Sequence, residues 1–183
     1  IRINPQYKDG QIKVALVGDS VTYGHSIKNW PQYNYPALLA DALGDNYCVK
    51  SYGVSGSTVQ PDGDQPYNLT KAYTWSHEFE ADIIVLMLGS NDSKPENWKG
   101  ADKFKEEYLD LINSYMNTEN PPELILCTPP TAYFPDGVTE GLSNYDVQPI
   151  IIEEIADIVK DVAKDNGYIL ININDLTDNR REL

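Results

Sequence analysis

The stretch Val14-Ala15-Leu16-Val17-Gly18-Asp19-Ser20 decides the fold of this 183-residue chain. Its four leading apolar residues are typical of a parallel strand that is buried on both faces. The glycine ends the strand and passes a serine to the carboxyl edge of the sheet, where α/β proteins bind their ligands. Ser20 is therefore a candidate nucleophile. Taken alone, Asp-Ser after a strand more often marks a turn and a helix N-cap, which stays open as the alternative.

Two later segments place further polar groups at the same edge. Ser51-Tyr52-Gly53-Val54-Ser55-Gly56 follows the second strand-like run, and Gly89-Ser90-Asn91-Asp92 follows the third. Because parallel strands all end on one side of a sheet, we expect Ser20, Gly53 and Asn91 to converge. A tetrahedral acyl-transfer intermediate needs a nucleophile and two or three donors to its oxyanion. The backbone N–H groups of Ser20 and Gly53 and the Asn91 carboxamide would supply those donors.

These three segments resemble the motifs of a known family, the GDSL or SGNH hydrolases. Gly18-Asp19-Ser20 with Val21-Thr22-Tyr23-Gly24 is similar to the first block, Gly53 in its Tyr-Gly-Val-Ser-Gly-Ser context to the second, and Gly89-Ser90-Asn91-Asp92 to the third. The continuation through Trp98 resembles the sialate O-acetylesterase-like or carbohydrate esterase branch. The resemblance implies a serine esterase that removes small acyl groups such as acetyl from saccharides, without a metal ion or an organic cofactor. It also implies a secreted or periplasmic bacterial protein.

The last block of that family has no counterpart in this sequence. It is an Asp-x-x-His motif after the fifth strand, which supplies the general base and its orienting carboxylate, and the chain reaches Leu183 without it. We therefore expect a single domain over residues 1–183 that is truncated at its C terminus, with the base and its aspartate beyond Leu183. We also expect these residues alone to hydrolyse esters barely above background.

The two histidines of the chain are poor substitutes for that base. On a helix, His25 would point about 140° away from Ser20. His77 precedes the third strand and should lie near the opposite, amino edge of the sheet, so we expect both histidines to be solvated surface residues. Asp19 and Asp92 are expected to hold turns by accepting backbone N–H bonds.

Three alternatives to the esterase interpretation stay open. A thioesterase or lysophospholipase of the same family would use the same groups on a longer acyl chain, and an apolar groove beside Ser20 would favour it. A catalytically inactive module could keep the pocket and bind acylated sugars without turnover. A second chain or a swapped segment could supply the histidine, which would make activity depend on protein concentration.

The resemblance implies a small-molecule ester, an acylated saccharide, as the partner, and composition argues against nucleic acid and membranes. The formal net charge is -14, and an acidic surface repels nucleic acid and anionic membranes. We expect no membrane insertion either, because no stretch reaches the apolar length of a membrane span. Cys48 and Cys127 fall on the second and fourth strands, roughly 14 Å apart at three strand spacings. We therefore expect two buried free thiols.

The apolar patterns predict five strands and four main helices in one doubly wound sandwich. Together with the family resemblance, this implies a flavodoxin-like three-layer α/β/α fold with a five-stranded parallel sheet in the order 2-1-3-4-5. The predicted strands cover residues 11–17, 46–52, 82–88, 123–128 and 168–173. The predicted main helices cover residues 35–43, 71–78, 101–117 and 147–166. Only a polar tail follows the last strand, so we expect part of one sheet face to lack its cover.

Aromatic residues in loops at the active edge supply candidate sugar contacts. These are Tyr67, Trp98 and Tyr133. Aromatic faces are large and flat and can stack on sugar rings. Loop aromatics equally often hold a loop against the core, so that alternative stays open for each of the three.

Overall fold

The fold is described from a computed structural model, which covers residues 5–143, 145–178 and 180. Strands and helices alternate along the chain. The strands are β1 Ile12–Gly18, β2 Tyr47–Gly53, β3 Ile83–Met87, β4 Glu123–Cys127 and β5 Ile169–Ile171. The helices are α1 Ser20–Tyr23, α2 Trp30–Tyr33, α3 Tyr35–Leu43, α4 Lys71–Glu78, α5 Ala101–Met116, α6 Pro149–Asn166 and α7 Ile173–Thr177.

The five strands form one parallel sheet in the order β2-β1-β3-β4-β5, which confirms the predicted topology. β1 lies in the interior, and Gly18 at its end stands opposite Gly53 on β2 and Met87 on β3. The segments that follow these three strands therefore leave the sheet side by side. This register is what brings residues distant in sequence to one edge.

Helices cover the two faces of the sheet unequally. α4, α5 and α6 pack on one face, where Phe104, Tyr108 and Ile155 are fully buried against the sheet. The other face is covered mainly by α3, through Ala40 and its neighbours. Residues of β5 are 36% to 47% exposed, so part of the sheet lacks cover, as predicted. No helix in the described part of the chain is both long and apolar enough to cross a lipid bilayer.

The end of the sheet differs from its sequence-based prediction. β5 stops at Ile171 instead of extending through residue 173, because Asn172 caps a helix that the sequence analysis missed. The Asn172 Oδ1 accepts a hydrogen bond from the Asp175 N–H at 3.2 Å. The resulting helix, α7, is tied to the end of β4 by a hydrogen bond of 2.8 Å from the Asn174 N–H to Thr128 Oγ1.

Both cysteines are buried free thiols, which confirms the expectation from strand order. Cys48 lies on β2 and Cys127 on β4, with β1 and β3 between them. Burial raises the pKa of the Cys127 thiol to about 12. The thiol is therefore protonated and unreactive at neutral pH.

Candidate functional site

Ser20 is the first residue of α1 and follows β1 almost directly. Asp19 caps this short helix, and its Oδ1 accepts a hydrogen bond from the Val21 N–H at 2.9 Å. The N-cap role therefore belongs to Asp19 and does not occupy the serine hydroxyl. Ser20 is half-buried, and no hydrogen bond within the described residues engages its hydroxyl. This hydroxyl is free to meet a ligand.

Two glycines let α1 lie directly on the strand ends. A Cβ on Gly18 would lie 2.0 Å from Thr22 Oγ1, and a Cβ on Gly53 would lie 2.4 Å from the Tyr23 backbone nitrogen. Atoms in a packed interior do not approach so closely, so a larger residue at either position would push the helix away. The position of Ser20 therefore depends on both glycines.

The Gly53 N–H points away from β1. In a parallel ladder alternate residues bond to a given neighbour, and here the Val54 N–H donates to Gly18 O at 2.9 Å. β2 is an edge strand, so no second strand accepts from Gly53. The Ser51 hydroxyl oxygen lies 3.5 Å from the Gly53 nitrogen, too far for a strong bond. The Gly53 N–H is thus available to a ligand.

The segment after β3 holds the loop that follows β2. The Asn91 Nδ2 donates to Ser57 O at 3.1 Å. The Asp92 carboxylate accepts hydrogen bonds from the Val59 N–H at 3.0 Å and the Gln60 N–H at 2.9 Å, which confirms that Asp92 holds a turn. A carboxamide has two N–H donors, so one donor of Asn91 remains for a ligand. Asn91 is 7% exposed.

Two buried carboxyl groups lie beneath these loops. Burial raises the pKa of Asp19 to about 6, although the hydrogen bond from the Val21 N–H and the nearby Ser90 side chain favour its charged form. Burial also raises the pKa of Asp92 to about 7, and the nearby charge of Asp19 adds to that shift. The contact of Asp19 with Ser90 joins the segment after β1 to the segment after β3. All three polar segments therefore meet at one edge of the sheet.

Neither histidine ring bonds to Ser20. His25 is exposed, and its backbone N–H donates to Ser20 O at 2.9 Å. His77 is stacked on Tyr115 with ring centroids 4.1 Å apart, and its Nδ1 lies 2.8 Å from Tyr73 O. The prediction of a solvated surface residue is wrong for His77, because α4 packs its ring against α5. Tyr115 is near the end of α5, which precedes β4, so His77 lies at the amino edge of the sheet, as predicted. Across the described residues, no group of three His, Cys, Asp or Glu side chains could hold a metal ion.

Tyr67 is not placed to contact a substrate, and this prediction is wrong. Its side chain is 0% exposed and belongs to the core beneath α4 and α5. Its hydroxyl donates to Tyr52 O at 2.8 Å. The loop that carries Tyr67 is therefore fixed to β2 through this ring, which is the alternative that the sequence left open.

Trp98 and Tyr133 have structural contacts of their own. The Trp98 ring packs against Phe104 of α5, with centroids 6.0 Å apart. The Tyr133 hydroxyl donates to Thr177 O and accepts from the Arg180 N–H at 3.0 Å. Both residues are half-buried. Tyr133 thereby fixes the loop after β4 to α7.

Sequence analysis missed a cleft of about 490 Å³ that runs along the free edge of β2. We call it the β2-edge cleft. Its walls come from α1, α2 and α3 on one side and α4 on the other, so no single sequence pattern marks it. Its lining includes Tyr23, Trp30, Ser51, Gly53, Lys71 and Trp75.

This chain is similar in sequence and in fold to known esterases. An acetylxylan esterase of Xylanibacter ruminicola is 33% identical over 190 residues, covering 94% of this chain and 38% of that protein. The chain thus spans about two fifths of the length of that relative. The crystal structure of the acetyl xylan esterase AlAXEase has a TM-score of 0.63 at 25% identity and covers 90% of this chain and 78% of its own.

The structure of Est24, a carbohydrate acetylesterase from Sinorhizobium meliloti, has a TM-score of 0.69 at 21% identity, covering 90% of this chain and 85% of its own. At that identity it shows the shared fold. The model of the GDSL-like lipase/acylhydrolase family matches residues 16–183. The match covers Ser20, Gly53 and Asn91 together with the strands that position them. The chain therefore belongs to the GDSL-like lipase/acylhydrolase family.

Proposed function

We propose that this chain is the catalytic domain of a serine ester hydrolase that removes acetyl groups from saccharides. The observation that carries the proposal is that the segments bearing Ser20, Gly53 and Asn91 meet at one edge of the sheet. Membership of the acylhydrolase family supports ester hydrolysis. The name of the relative, an acetylxylan esterase, supports an acetylated sugar as the substrate.

In the proposed first step, Ser20 Oγ attacks the carbonyl carbon of the ester as its proton passes to a general base. The carbonyl oxygen becomes an oxyanion. It would accept hydrogen bonds from the backbone N–H of Ser20 and from the second N–H of Asn91, whereas the Gly53 N–H points away from β1 and does not face that position. Such donors stabilise the transition state because they are already fixed where the negative charge develops.

The intermediate then collapses. The bond between the carbonyl carbon and the sugar oxygen breaks, and the sugar leaves as an alcohol after taking the proton from the base. Water next attacks the acetyl-Ser20 ester, which releases acetate and restores the serine. Because neither histidine ring bonds to Ser20, the proposal requires a general base from outside the residues that the structure describes.

Substitutions in the full-length protein test the assigned roles. Ser20→Ala should lower kcat on p-nitrophenyl acetate by 10⁴-fold or more, on the order of the loss of a nucleophile elsewhere. Asn91→Ala should lower kcat about 10²- to 10³-fold, as expected for the loss of one oxyanion donor. The exposed Asn117 at the far end of α5 is the matched control, and Asn117→Ala should leave kcat unchanged. Wild-type turnover in Ser20→Ala would refute the proposal.

The same assay on residues 1–183 alone tests the requirement for another base. We expect hydrolysis barely above background, because an un-ionised serine is a weak nucleophile. Robust turnover that Ser20→Ala abolishes would show that a base lies within this segment. A specific activity, per milligram of protein, that rises with protein concentration would instead indicate a base from a second chain.

A further inference from the structure

The β2-edge cleft has an unusual share of exposed aromatic surface. The chain has three tryptophans, and two of them, Trp30 and Trp75, line this cleft. Trp30 is 37% exposed and Trp75 is 55% exposed. Burying a large aromatic side chain stabilises a fold, so leaving two of them open to solvent forgoes that stabilisation. The third, Trp98, packs against the core instead.

The Trp30 ring is held in place before any ligand arrives. It stacks on Tyr23 of α1, with centroids 4.4 Å apart and planes inclined by 28°. A pre-oriented flat ring loses little conformational entropy when it binds a flat apolar face. The cleft volume of about 490 Å³ lies within the range of about 300–1,000 Å³ that is usual for small-molecule sites.

The polar groups of the cleft favour a neutral, hydroxyl-rich ligand. The Ser51 hydroxyl is exposed, and its contacts with Thr22 O and with the Gly53 nitrogen are both long, at 3.5 Å. Lys71 adds an exposed ammonium group at the wall. A net charge of -14 disfavours a polyanionic ligand. Sugar rings have apolar faces for the tryptophans and hydroxyls for Ser51 and Lys71.

The cleft borders the candidate catalytic site through Gly53, although Ser20 and Asn91 do not line it. Gly53 lines the cleft, and its N–H points away from β1 toward the free edge where the cleft lies. Tyr23 also lines it, and Tyr23 closes the same short helix that Ser20 opens. A ligand that fills the cleft would thus contact Gly53 and Tyr23, which adjoin the helix that carries Ser20.

The geometry points to the β2-edge cleft as the saccharide-binding subsite, in which Trp30 and Trp75 stack on sugar rings and hold the acetylated unit next to Ser20. This inference rests on the proposed function for its substrate. Trp30 and Trp75 are binding residues, not catalytic ones. Their loss should therefore weaken binding of sugar substrates and leave the chemistry on small aryl esters intact.

Direct binding tests the inference without turnover. In the full-length Ser20→Ala protein, titration calorimetry with xylohexaose, a neutral oligosaccharide without acetyl groups, should detect binding. Trp75→Ala should weaken that binding about tenfold, since a factor of ten corresponds to about 1.4 kcal/mol. Trp75 is the better variant because it is the more exposed of the two and its loss should not disturb folding. Tyr33→Ala is the matched control, because Tyr33 is 56% exposed on α2 and does not line the cleft.

Kinetics of the full-length protein separate the subsite from the reaction. Trp75→Ala should raise KM about tenfold on acetylated xylo-oligosaccharides and leave kcat/KM on p-nitrophenyl acetate unchanged. Equal effects of Trp75→Ala and Tyr33→Ala on the sugar would overturn the inference. So would an effect of Trp75→Ala on p-nitrophenyl octanoate alone, which would assign the cleft to an acyl chain. Absence of hydrolysis of every ester would contradict the proposed function, whereas the xylohexaose titration would still test the subsite.

Discussion

Adding one methyl group at Gly53 should disable the site while keeping every proposed hydrogen-bond donor. A Cβ there would lie 2.4 Å from the Tyr23 nitrogen and 2.7 Å from the Thr22 carbonyl carbon. Both are backbone atoms of α1, so no side-chain rotation relieves the clash, and the helix itself must shift. The φ of Gly53 lies outside the left-handed region, so alanine adds no backbone strain of its own.

The expected magnitude follows from the size of that shift. Ordinary carbon contacts lie at about 3.5–4.0 Å, so α1 must move by about 1 Å or more. Overpacking of this kind costs about 1–3 kcal/mol of stability. Because α1 carries Ser20, and because a misplacement of about 1 Å can cost about 10²-fold in rate, we expect Gly53→Ala to lower kcat/KM about 10²-fold on p-nitrophenyl acetate.

A second glycine separates displacement of the helix from general destabilisation. Gly44 ends α3 with φ of 74°, and a Cβ there would meet nothing within 4 Å. Gly44→Ala should therefore cost about 1–2 kcal/mol through left-handed strain without moving α1. Urea denaturation and kcat/KM should be measured on both variants in the full-length protein. If Gly53→Ala keeps wild-type kcat/KM, or if both variants lose activity equally, the reasoning is refuted.

Three further outcomes are expected. The pKa values of Asp19 and Asp92 are raised to about 6 and about 7 in the folded protein, so their protonation stabilises the fold fully below about pH 4, and this stabilisation is lost as the pH rises through 6 to 7. Urea denaturation should therefore show a larger free energy of unfolding at pH 5 than at pH 8, and Asp19→Asn should reduce that difference. Asp92→Ala leaves the buried N–H groups of Val59 and Gln60 unpaired, so it should lower the free energy of unfolding by about 1–3 kcal/mol per group, and an unchanged urea midpoint would contradict this. His77→Phe should keep wild-type kcat/KM in the full-length protein, because His77 packs on Tyr115 at the amino edge; a large loss of activity at unchanged Tm would identify it as a base.

Local signals located most elements of the fold. α3 runs from Tyr35 to Leu43, as predicted, because Gly44 ends it. α4 begins at Lys71, since the Thr70 hydroxyl caps it by accepting from the Tyr73 N–H at 3.2 Å. The alternation of strands and helices predicted a parallel sheet, whereas the sheet order came with the fold type that the family resemblance implies.

Features that depend on contacts between distant segments were beyond the sequence. Tyr67 looked like a loop aromatic at the active edge, but its hydroxyl reaches Tyr52 O and its ring fills the core. α7 was missed because Asn172 acts as a cap only once Thr128 has fixed the segment beside β4. The β2-edge cleft has walls from segments far apart in sequence, and neither wall carries a periodic signal.

The hydrogen bonds around the site explain why its parts are interdependent. The loop after β2 carries Gly53 at its start, and Asp92 holds that loop through two backbone N–H groups. Asp92 and Asn91 lie on the same turn after β3. A shift of that turn would therefore move Asn91 together with the loop that begins at Gly53. The contact between Asp19 and Ser90 couples the helix of Ser20 to the same turn. Substitutions at these carboxylates should therefore change activity non-additively with Asn91→Ala, as groups in one network do.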